Sequence, residues 1–253
     1  MVSNRTRPPL HGGIVLSLRP VGAHGALRRA AARQGARVLA LSPWRIALRD
    51  DAATRKTLRE ALAADAVVFT SPNAVRAAAN LLPLRKRKGA EWLAVGAGTA
   101  SALRRAGIAN VASPARMDSE GLLSLPALRD VRGKRVGLVT APGGRGVIAA
   151  TLARRGARIT RADVYERIVI TPSPRAVATL RTLRTRPWLA LSSGEALQHV
   201  LTALPADAAR RLRTSRVLAA SERLAELARE LGFNNIHVAT DARPRALLDA
   251  ATR

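Results

Sequence analysis

A long internal repeat is the feature that most constrains the fold of this chain. The stretch RQGARV at residues 33–38 returns as RRGARI at residues 154–159. Three further pairs of segments recur in the same order at a nearly constant offset, namely 14–20 with 136–142, 66–75 with 188–197, and 92–108 with 216–233. A repeat of this length indicates two duplicated α/β units and not a solenoid of short repeats.

Short apolar segments alternate along the chain with segments of helical period. Residues 25–35 are predicted to form a helix that ends at Gly35, and residues 221–232 one that begins at Ser221 and ends at Gly232. Strands that alternate with helices form parallel sheets, so we predict an α/β fold with helices on both faces of each sheet. The predicted strands are 13–19, 37–42, 66–70, 92–96, 135–140, 158–164, 188–192 and 216–220, with weaker ones at 110–112 and 235–239.

Two segments at matching positions of the repeat are longer than the other strands. Residues 36–48 and 157–170 each begin apolar and carry charges at alternate positions in their second halves. A long, half-polar strand suits an exposed connection better than a buried core. We therefore interpret both segments as strands that bridge two domains.

Composition excludes several kinds of site. The chain of 253 residues is long enough for two domains, and its apolar content of 47% is sufficient for two cores. The absence of cysteine excludes disulfides, thiolate metal ligands and a cysteine nucleophile. No two of the four histidines are three or four residues apart, so we expect no metal site. The polar amino terminus and the lack of a long apolar run predict a soluble, cytoplasmic protein.

The net charge of +26 comes from 43 basic and 17 acidic residues, and only four of the basic residues are lysines. Such a charge is typical of proteins that bind nucleic acid, a membrane surface or a polycarboxylate. A biased use of arginine codons gives the same composition, and the even spread of arginine favours that explanation. The only dense basic cluster is RKRK at residues 85–88. The charge alone therefore does not identify a partner.

Small or hydroxyl-bearing residues follow most of the predicted strands and begin the next helix. Ligands of parallel sheets bind beyond the carboxyl ends of the strands, where helix N-termini offer free N–H groups to anions. Ordinary N-capping explains any one of these positions, but the five together predict a site for a large ligand with many negative groups. The positions are residues 70–73, 96–99, 142–144 and 192–194, and Ser221.

Two sequence patterns resemble other enzyme sites only weakly. In VGAGTAS, residues 95–101, Gly96 and Gly98 fit a dinucleotide fingerprint, but Ser101 replaces its third glycine, so a nicotinamide-dependent oxidoreductase is a poor match. Ser193 lacks the G-x-S-x-G elbow and a histidine–acid pair to activate it. The only tyrosine, Tyr165, lies in the second bridging segment, where its hydroxyl either packs or faces a cleft.

Six segments, in order and spacing, resemble the uroporphyrinogen-III synthase family over nearly the whole chain. The strongest part is the block at residues 192–233, which contains SSGEAL and VLAASERLAELARELG. The other segments are FTSPNAV (69–75), VGAGTASAL (95–103), SEGLLSLPAL (119–128), the stretch from GKRVGLVTAPGG to RRGA (133–157) and VYER (164–167).

The resemblance implies two flavodoxin-like parallel-sheet domains joined by a two-stranded β-ladder. One domain would be discontinuous and the other continuous. The implied bounds are 1–37 with 172–253 for the discontinuous domain, 50–156 for the second domain, and 38–49 with 157–171 for the ladder.

The resemblance also implies a function. Members of this family cyclise hydroxymethylbilane, an open tetrapyrrole with eight carboxylates, to uroporphyrinogen III in haem biosynthesis. The reaction loses water and inverts ring D, so the implied enzyme is a lyase. No cofactor, nucleic acid or membrane is expected to take part, and a monomer is expected. The alternative is a basic nucleic-acid-binding α/β protein without catalysis, although few aromatic residues are present to stack on bases.

The resemblance assigns roles to individual residues. Tyr165 matches the tyrosine proposed to assist departure of the substrate hydroxyl, and Arg19 matches the arginine of a TRP motif in which Leu18 here replaces threonine. Ala141 and Gly143 stand where relatives often carry donor side chains. The residues implied to bind substrate are Arg19, Ser71, Asn73, Gly98, Thr99, Gly144, Ser192, Ser193, Gly194 and Ser221.

Overall fold

The helices and strands alternate as the sequence predicts. The computed structural model describes residues 10–116, 118–143 and 146–252. The strands are β1 (Ile14–Ser17), β2 (Arg37–Ala40), β3 (Trp44–Leu48), β4 (Ala66–Phe69), β5 (Glu91–Ala94), β6 (Arg135–Thr140), β7 (Arg158–Asp163), β8 (Tyr165–Val169), β9 (Trp188–Leu191), β10 (Arg216–Ala219) and β11 (Asn235–Val238). The helices are α1 (Gly25–Arg33), α2 (Ala52–Leu62), α3 (Pro72–Leu81), α4 (Ala97–Arg105), α5 (Ser119–Leu123), α6 (Pro126–Arg129), α7 (Val147–Arg154), α8 (Pro174–Thr182), α9 (Gly194–Ala203), α10 (Ala206–Arg213), α11 (Glu222–Glu230) and α12 (Pro244–Asp249), followed by a 3₁₀ turn at Ala250–Thr252.

The chain divides into two units. The continuous unit is Ile46–Arg167, and the discontinuous unit contains the described residues on either side of it. In the discontinuous unit, five parallel strands lie in the order β2-β1-β9-β10-β11. Numbered along this unit, the order is 2-1-3-4-5, which is the flavodoxin-like arrangement.

The continuous unit repeats this arrangement. Its parallel strands lie in the order β7-β6-β4-β5, and an isolated parallel bridge between Leu93 and Ala112 occupies the fifth position. Each repeated sequence segment thus takes the same place in its own sheet: β1 corresponds to β6, β2 to β7, β9 to β4, and β10 to β5. The predicted α/β fold and its internal duplication are confirmed.

The two bridging segments differ from the prediction of one long strand each. The first divides into β2 and β3, and the second into β7 and β8. β2 and β7 are edge strands of the two parallel sheets, so only β3 and β8 pair with one another. Their pairing is antiparallel, because Ile170 N–H donates to the Pro43 carbonyl (2.9 Å) and Arg49 N–H to the Val164 carbonyl (3.2 Å). Some of the charged residues in the bridging segments therefore lie on the edge strands β2 and β7. The two-stranded ladder is formed by β3 and β8 alone and is shorter than expected.

Aliphatic side chains dominate the core of each unit. All residues of the central strands β4 and β9 are buried, as expected for strands covered by helices on both faces. Trp92 is fully buried against Phe69, with 5.4 Å between ring centroids, and these are two of only six aromatic residues in the chain. Alanine fills much of the remaining helix–sheet contact, which lets the helices approach the strands closely.

Gly137 of β6 provides a test of that close approach. A Cβ atom at this position would overlap the carbonyl group of Ala61 in α2, lying 2.6 Å from its carbon. The obstacle is backbone, so we expect Gly137→Ala to destabilise the protein by about 1–3 kcal/mol, measured by urea unfolding. Gly25→Ala is the matched control, because a Cβ there would make only an ordinary contact with Arg29, at 3.5 Å. Equal stability of the two variants would contradict this account of the β6–α2 packing.

The described part of the chain contains no helix that is both long and apolar enough to cross a membrane.

Candidate active site

The carboxyl edge of the sheet in the continuous unit has the geometry of a ligand site. From β4 the chain proceeds to β5 on one side, whereas from β6 it proceeds to β7 on the other, so β4 and β6 flank a topological switch point. Ligands of open parallel sheets bind at such points. Thr70, just after β4, donates its hydroxyl to Thr140 at the end of β6 (2.8 Å), so the two strand ends are joined there.

Tyr165 and Ser71 meet at this edge. Ser71 is the N-cap of α3, where its Oγ accepts from the Ala74 backbone N–H (3.0 Å). The Tyr165 hydroxyl lies 3.0 Å from the same Oγ. Tyr165 is only 2% exposed, whereas Ser71 is half-buried. Ser71 is therefore the member of the pair that solvent or a ligand reaches more easily.

The Tyr165–Ser71 pair can offer a hydroxyl proton to a ligand in two arrangements. The hydroxyl of each residue carries one proton and can also accept. If Ser71 donates to Tyr165, the phenol proton is free for a ligand. If Tyr165 donates to Ser71, the serine proton is free instead. In both arrangements the Ala74 N–H orients Ser71, and one hydroxyl proton remains available at the sheet edge.

The other predicted residues of the continuous unit have varied surroundings. The Asn73 side-chain oxygen accepts from Arg76, at 2.5 Å. Gly98 is exposed in the first turn of α4, and Thr99 beside it is 4% exposed. Gly144 lies outside the described residues. Among the described residues that were predicted to bind substrate in this unit, Ser71 is the one with a hydrogen bond to Tyr165.

Ala141 and Gly143, which the sequence singled out, follow β6 and carry no side-chain donor. Ala141 is buried, and Gly143 has a left-handed φ of 86°. Arg161 of the neighbouring strand β7 donates to the Ala141 carbonyl (2.9 Å) and to Asp163 (3.0 Å). A guanidinium from the edge strand therefore lies at this strand end, already engaged by protein acceptors.

In the discontinuous unit, the equivalent switch point lies between β1 and β9, and Arg19 follows the end of β1. The guanidinium of Arg19 is half-buried, and desolvation by burial lowers its pKa below the ordinary value. Among the described residues, no hydrogen bond or ion pair engages its side chain. A partly desolvated cation without a counter-charge favours binding of an anionic ligand group.

Beside Arg19, the structure reveals a buried hydrogen-bonded group that sequence reasoning missed. His24, the N-cap residue of α1, places Nδ1 at 2.8 Å from the Ser17 hydroxyl and Nε2 at 2.9 Å from the Ser42 hydroxyl. All three side chains are buried. The residues are 7 and 18 positions apart, so no helical spacing marks them. Only the pairing of β1 with β2 brings Ser17 and Ser42 to the same edge.

The surroundings of His24 keep its imidazole neutral. Burial, together with the charges of Arg28 and Arg19, lowers the pKa of His24 from 6.5 to about 4. A neutral imidazole has one donor and one acceptor nitrogen, which two serine hydroxyls can satisfy in either tautomer. The group is thus fully hydrogen-bonded without adding positive charge beside Arg19.

The predicted hydroxyl residues of the second half, Ser192, Ser193 and Ser221, have different surroundings. Ser193 is the N-cap of α9 and accepts from the Ala196 N–H (3.3 Å), whereas Ser192 is exposed. Ser221 occupies the N-cap position of α11, but its side chain makes no capping hydrogen bond, so the predicted cap is wrong in that detail. Gly194, which follows Ser193, packs closely against α11, since a Cβ atom there would overlap the Leu227 side chain.

No group of three or more histidine, cysteine, aspartate or glutamate side chains in the described residues is arranged to hold a metal ion.

Two flavodoxin-like sheets, each followed at its carboxyl edge by helix N-termini and hydroxyl side chains, define the class of this protein as a two-unit α/β protein. The family model described as "Uroporphyrinogen-III synthase HemD" matches residues 25–249. This chain belongs to the uroporphyrinogen-III synthase family. These matches give no support to the nucleic-acid-binding alternative.

Two relatives that carry the family's name support this assignment. The chain is 35% identical over 199 residues to the uroporphyrinogen-III synthase of Salmonella typhimurium, covering 78% of this chain and 79% of the relative. It is 38% identical over 162 residues to the Escherichia coli protein of the same name, covering 63% of this chain and 66% of that relative.

Solved structures share the fold. A mutant uroporphyrinogen III synthase from Thermus thermophilus superposes with a TM-score of 0.60 at 21% identity, covering 95% of this chain and 98% of the other. A uroporphyrinogen-III synthetase from Helicobacter pylori gives 0.62 at 15% identity, with coverages of 95% and 98%.

Proposed function

We propose that this chain cyclises hydroxymethylbilane to uroporphyrinogen III, with loss of water and inversion of ring D, as a lyase of tetrapyrrole biosynthesis. Membership of the family supports the reaction. The observation in the molecule that carries the proposal is the Tyr165–Ser71 pair, with 3.0 Å between the hydroxyls, at the switch point of the continuous unit. That pair supplies a proton donor for the departing hydroxyl of the substrate.

The substrate would be recognised through its carboxylates. Helix N-termini that follow β4, β5, β9 and β10 offer backbone N–H groups at the carboxyl edges of their sheets. Each contact between a helix N-terminus and a carboxylate contributes roughly 0.3–1 kcal/mol, so several together give a few kcal/mol of positioning. Arg19 adds a half-buried cation at the end of β1. The substrate-binding residues implied by the family resemblance remain part of this proposal.

Orientation of the bound substrate would account for most of the catalysis. Closure without enzyme leads to the type I isomer, so the protein must favour attack through the substituted carbon of ring D. Holding two reacting ends in one geometry lowers a barrier by up to about 7–11 kcal/mol. The Tyr165–Ser71 pair then assists the loss of the ring A hydroxyl by donating a hydrogen bond to it.

A product assay tests this function directly. The purified protein is incubated with freshly prepared hydroxymethylbilane, the products are oxidised, and the uroporphyrin isomers are separated by chromatography. We expect isomer III to predominate. Formation of isomer I alone would overturn the proposal.

The proposed carboxylate recognition predicts protection by a product-like polyanion. Uroporphyrin should raise the melting temperature of the protein, because a ligand that binds only the folded state stabilises it. Added salt should weaken the protection, because exposed charges are screened. Duplex DNA of matched total charge is the control, and equal protection by the duplex would show a general polyanion effect and not recognition of the tetrapyrrole.

Cytoplasmic localisation and a monomeric state belong to the same proposal. The absence of cysteine is compatible with a reducing compartment. Light scattering coupled to gel filtration measures the second point, for which we expect a single species of 26.9 kDa.

A further inference from the structure

The loop that carries Arg19 is closed by a side-chain hydrogen bond. The loop leaves β1 at Ser17 and enters α1 at His24, and the 2.8 Å contact between His24 Nδ1 and the Ser17 hydroxyl joins these two ends. Within the loop, Ala23 N–H donates to the Pro20 carbonyl at 3.0 Å. The side-chain hydrogen bond therefore holds the two ends of the loop together.

A second anchor ties the same loop to the neighbouring chain segment. His24 Nε2 lies 2.9 Å from the hydroxyl of Ser42, which follows β2. The Val21 N–H donates to the Trp44 carbonyl at 3.1 Å in the same region. Gly22, in the middle of the loop, has a left-handed φ of 80° and open space around its α-carbon. A loop with a glycine at its tip depends on such anchors for one conformation.

Arg19 has no such anchor of its own. Its side chain is half-buried without a hydrogen bond or ion pair to any described residue. A guanidinium in that position gains hydration by moving outward, and no hydrogen bond or ion pair with a described residue opposes this movement. The conformation of the loop therefore determines the position in which the Arg19 guanidinium meets a ligand.

We propose that His24 is a positioning residue for substrate binding: its hydrogen bonds to Ser17 and Ser42 hold the β1–α1 loop so that Arg19 meets a carboxylate of the substrate. This inference rests on the proposed function. A neutral imidazole suits the task, because a cation between Ser17 and Ser42 would repel Arg19 and compete for the same carboxylate.

A double-mutant cycle tests whether His24 acts through Arg19. We expect His24→Leu to raise KM for hydroxymethylbilane about tenfold while kcat changes less than about threefold, since misplacing a binding group by about 1 Å costs on the order of 10- to 100-fold. In an Arg19→Met background, the same His24→Leu change should alter KM less than about twofold. His24→Asn, which keeps a donor near the Nδ1 position for Ser17, should restore most of the affinity.

His11→Leu is the matched control, since this exposed histidine precedes β1 at the opposite edge of the sheet. It should leave KM and kcat unchanged. Should His24→Leu fail to fold, as judged by its melting curve, Ser42→Ala replaces it in both backgrounds. An equal rise of KM with and without Arg19, or a fall confined to kcat, would overturn the inference. A wild-type protein that forms no isomer III would instead overturn the proposed function itself.

Discussion

Tyr165→Phe should slow cyclisation by about thirty- to eight-hundred-fold while isomer III still predominates in the product. The substitution removes one donor to the departing hydroxyl, and loss of one hydrogen bond made in the transition state costs roughly 2–4 kcal/mol. The isomer ratio should survive, because inversion follows from how the substrate is folded when bound. Single-turnover kinetics followed by isomer chromatography measures both quantities.

Ser71→Ala is the informative partner of that variant. Ser71 is more accessible than Tyr165 and lies 3.0 Å from its hydroxyl, so either residue can be the immediate donor. A larger loss in Ser71→Ala than in Tyr165→Phe would identify the serine as that donor. The phenylalanine variant should stay folded, since a lost neutral hydrogen bond costs about 1 kcal/mol. Unchanged kinetics in both variants would show that the pair serves only packing.

Acidification should destabilise the protein through His24 between about pH 6.5 and pH 4. Burial, with Arg28 and Arg19 adding to it, lowers the pKa of His24 from 6.5 to about 4 in the folded protein. Between these values the unfolded chain binds a proton at His24 and the folded protein does not, so stability falls as the pH falls. Above pH 6.5 neither state is protonated, and the full stability is present.

The difference between the two pKa values corresponds to about 3 kcal/mol, since one pKa unit is worth about 1.4 kcal/mol. Urea unfolding of the wild type and of His24→Asn at a series of pH values isolates this contribution from that of the carboxylates. The stability of the wild type should approach that of the variant as the pH falls. Parallel curves for the two proteins from pH 7 to pH 4 would contradict a buried neutral His24.

Some residues of the candidate site can be predicted from a local sequence pattern, whereas others come together only through contacts between distant segments. Ser71 and Ser193 are predictable, because a serine before a helical segment at the end of an apolar strand is a local pattern, and both prove to be N-caps. The Tyr165–Ser71 contact joins residues 94 positions apart, and no local pattern encodes it. Gly194 shows the converse, since a glycine that matches a binding motif also lies against the Leu227 side chain, which would have to move to admit a Cβ atom.

The sequence alone determined the α/β class, the duplication and the approximate position of the strands, because hydrophobic period and repeat are properties of residues close in the chain. It did not determine that each bridging segment holds two strands, since hydrogen bonding to different partners divides β2 from β3 and β7 from β8. Nor did it reveal His24. The imidazole is neutral and buried only because the parallel pairing of β1 with β2 brings Ser17 and Ser42 within hydrogen-bonding reach of it. Contacts between distant segments are settled by packing and desolvation, and these are properties of the tertiary structure.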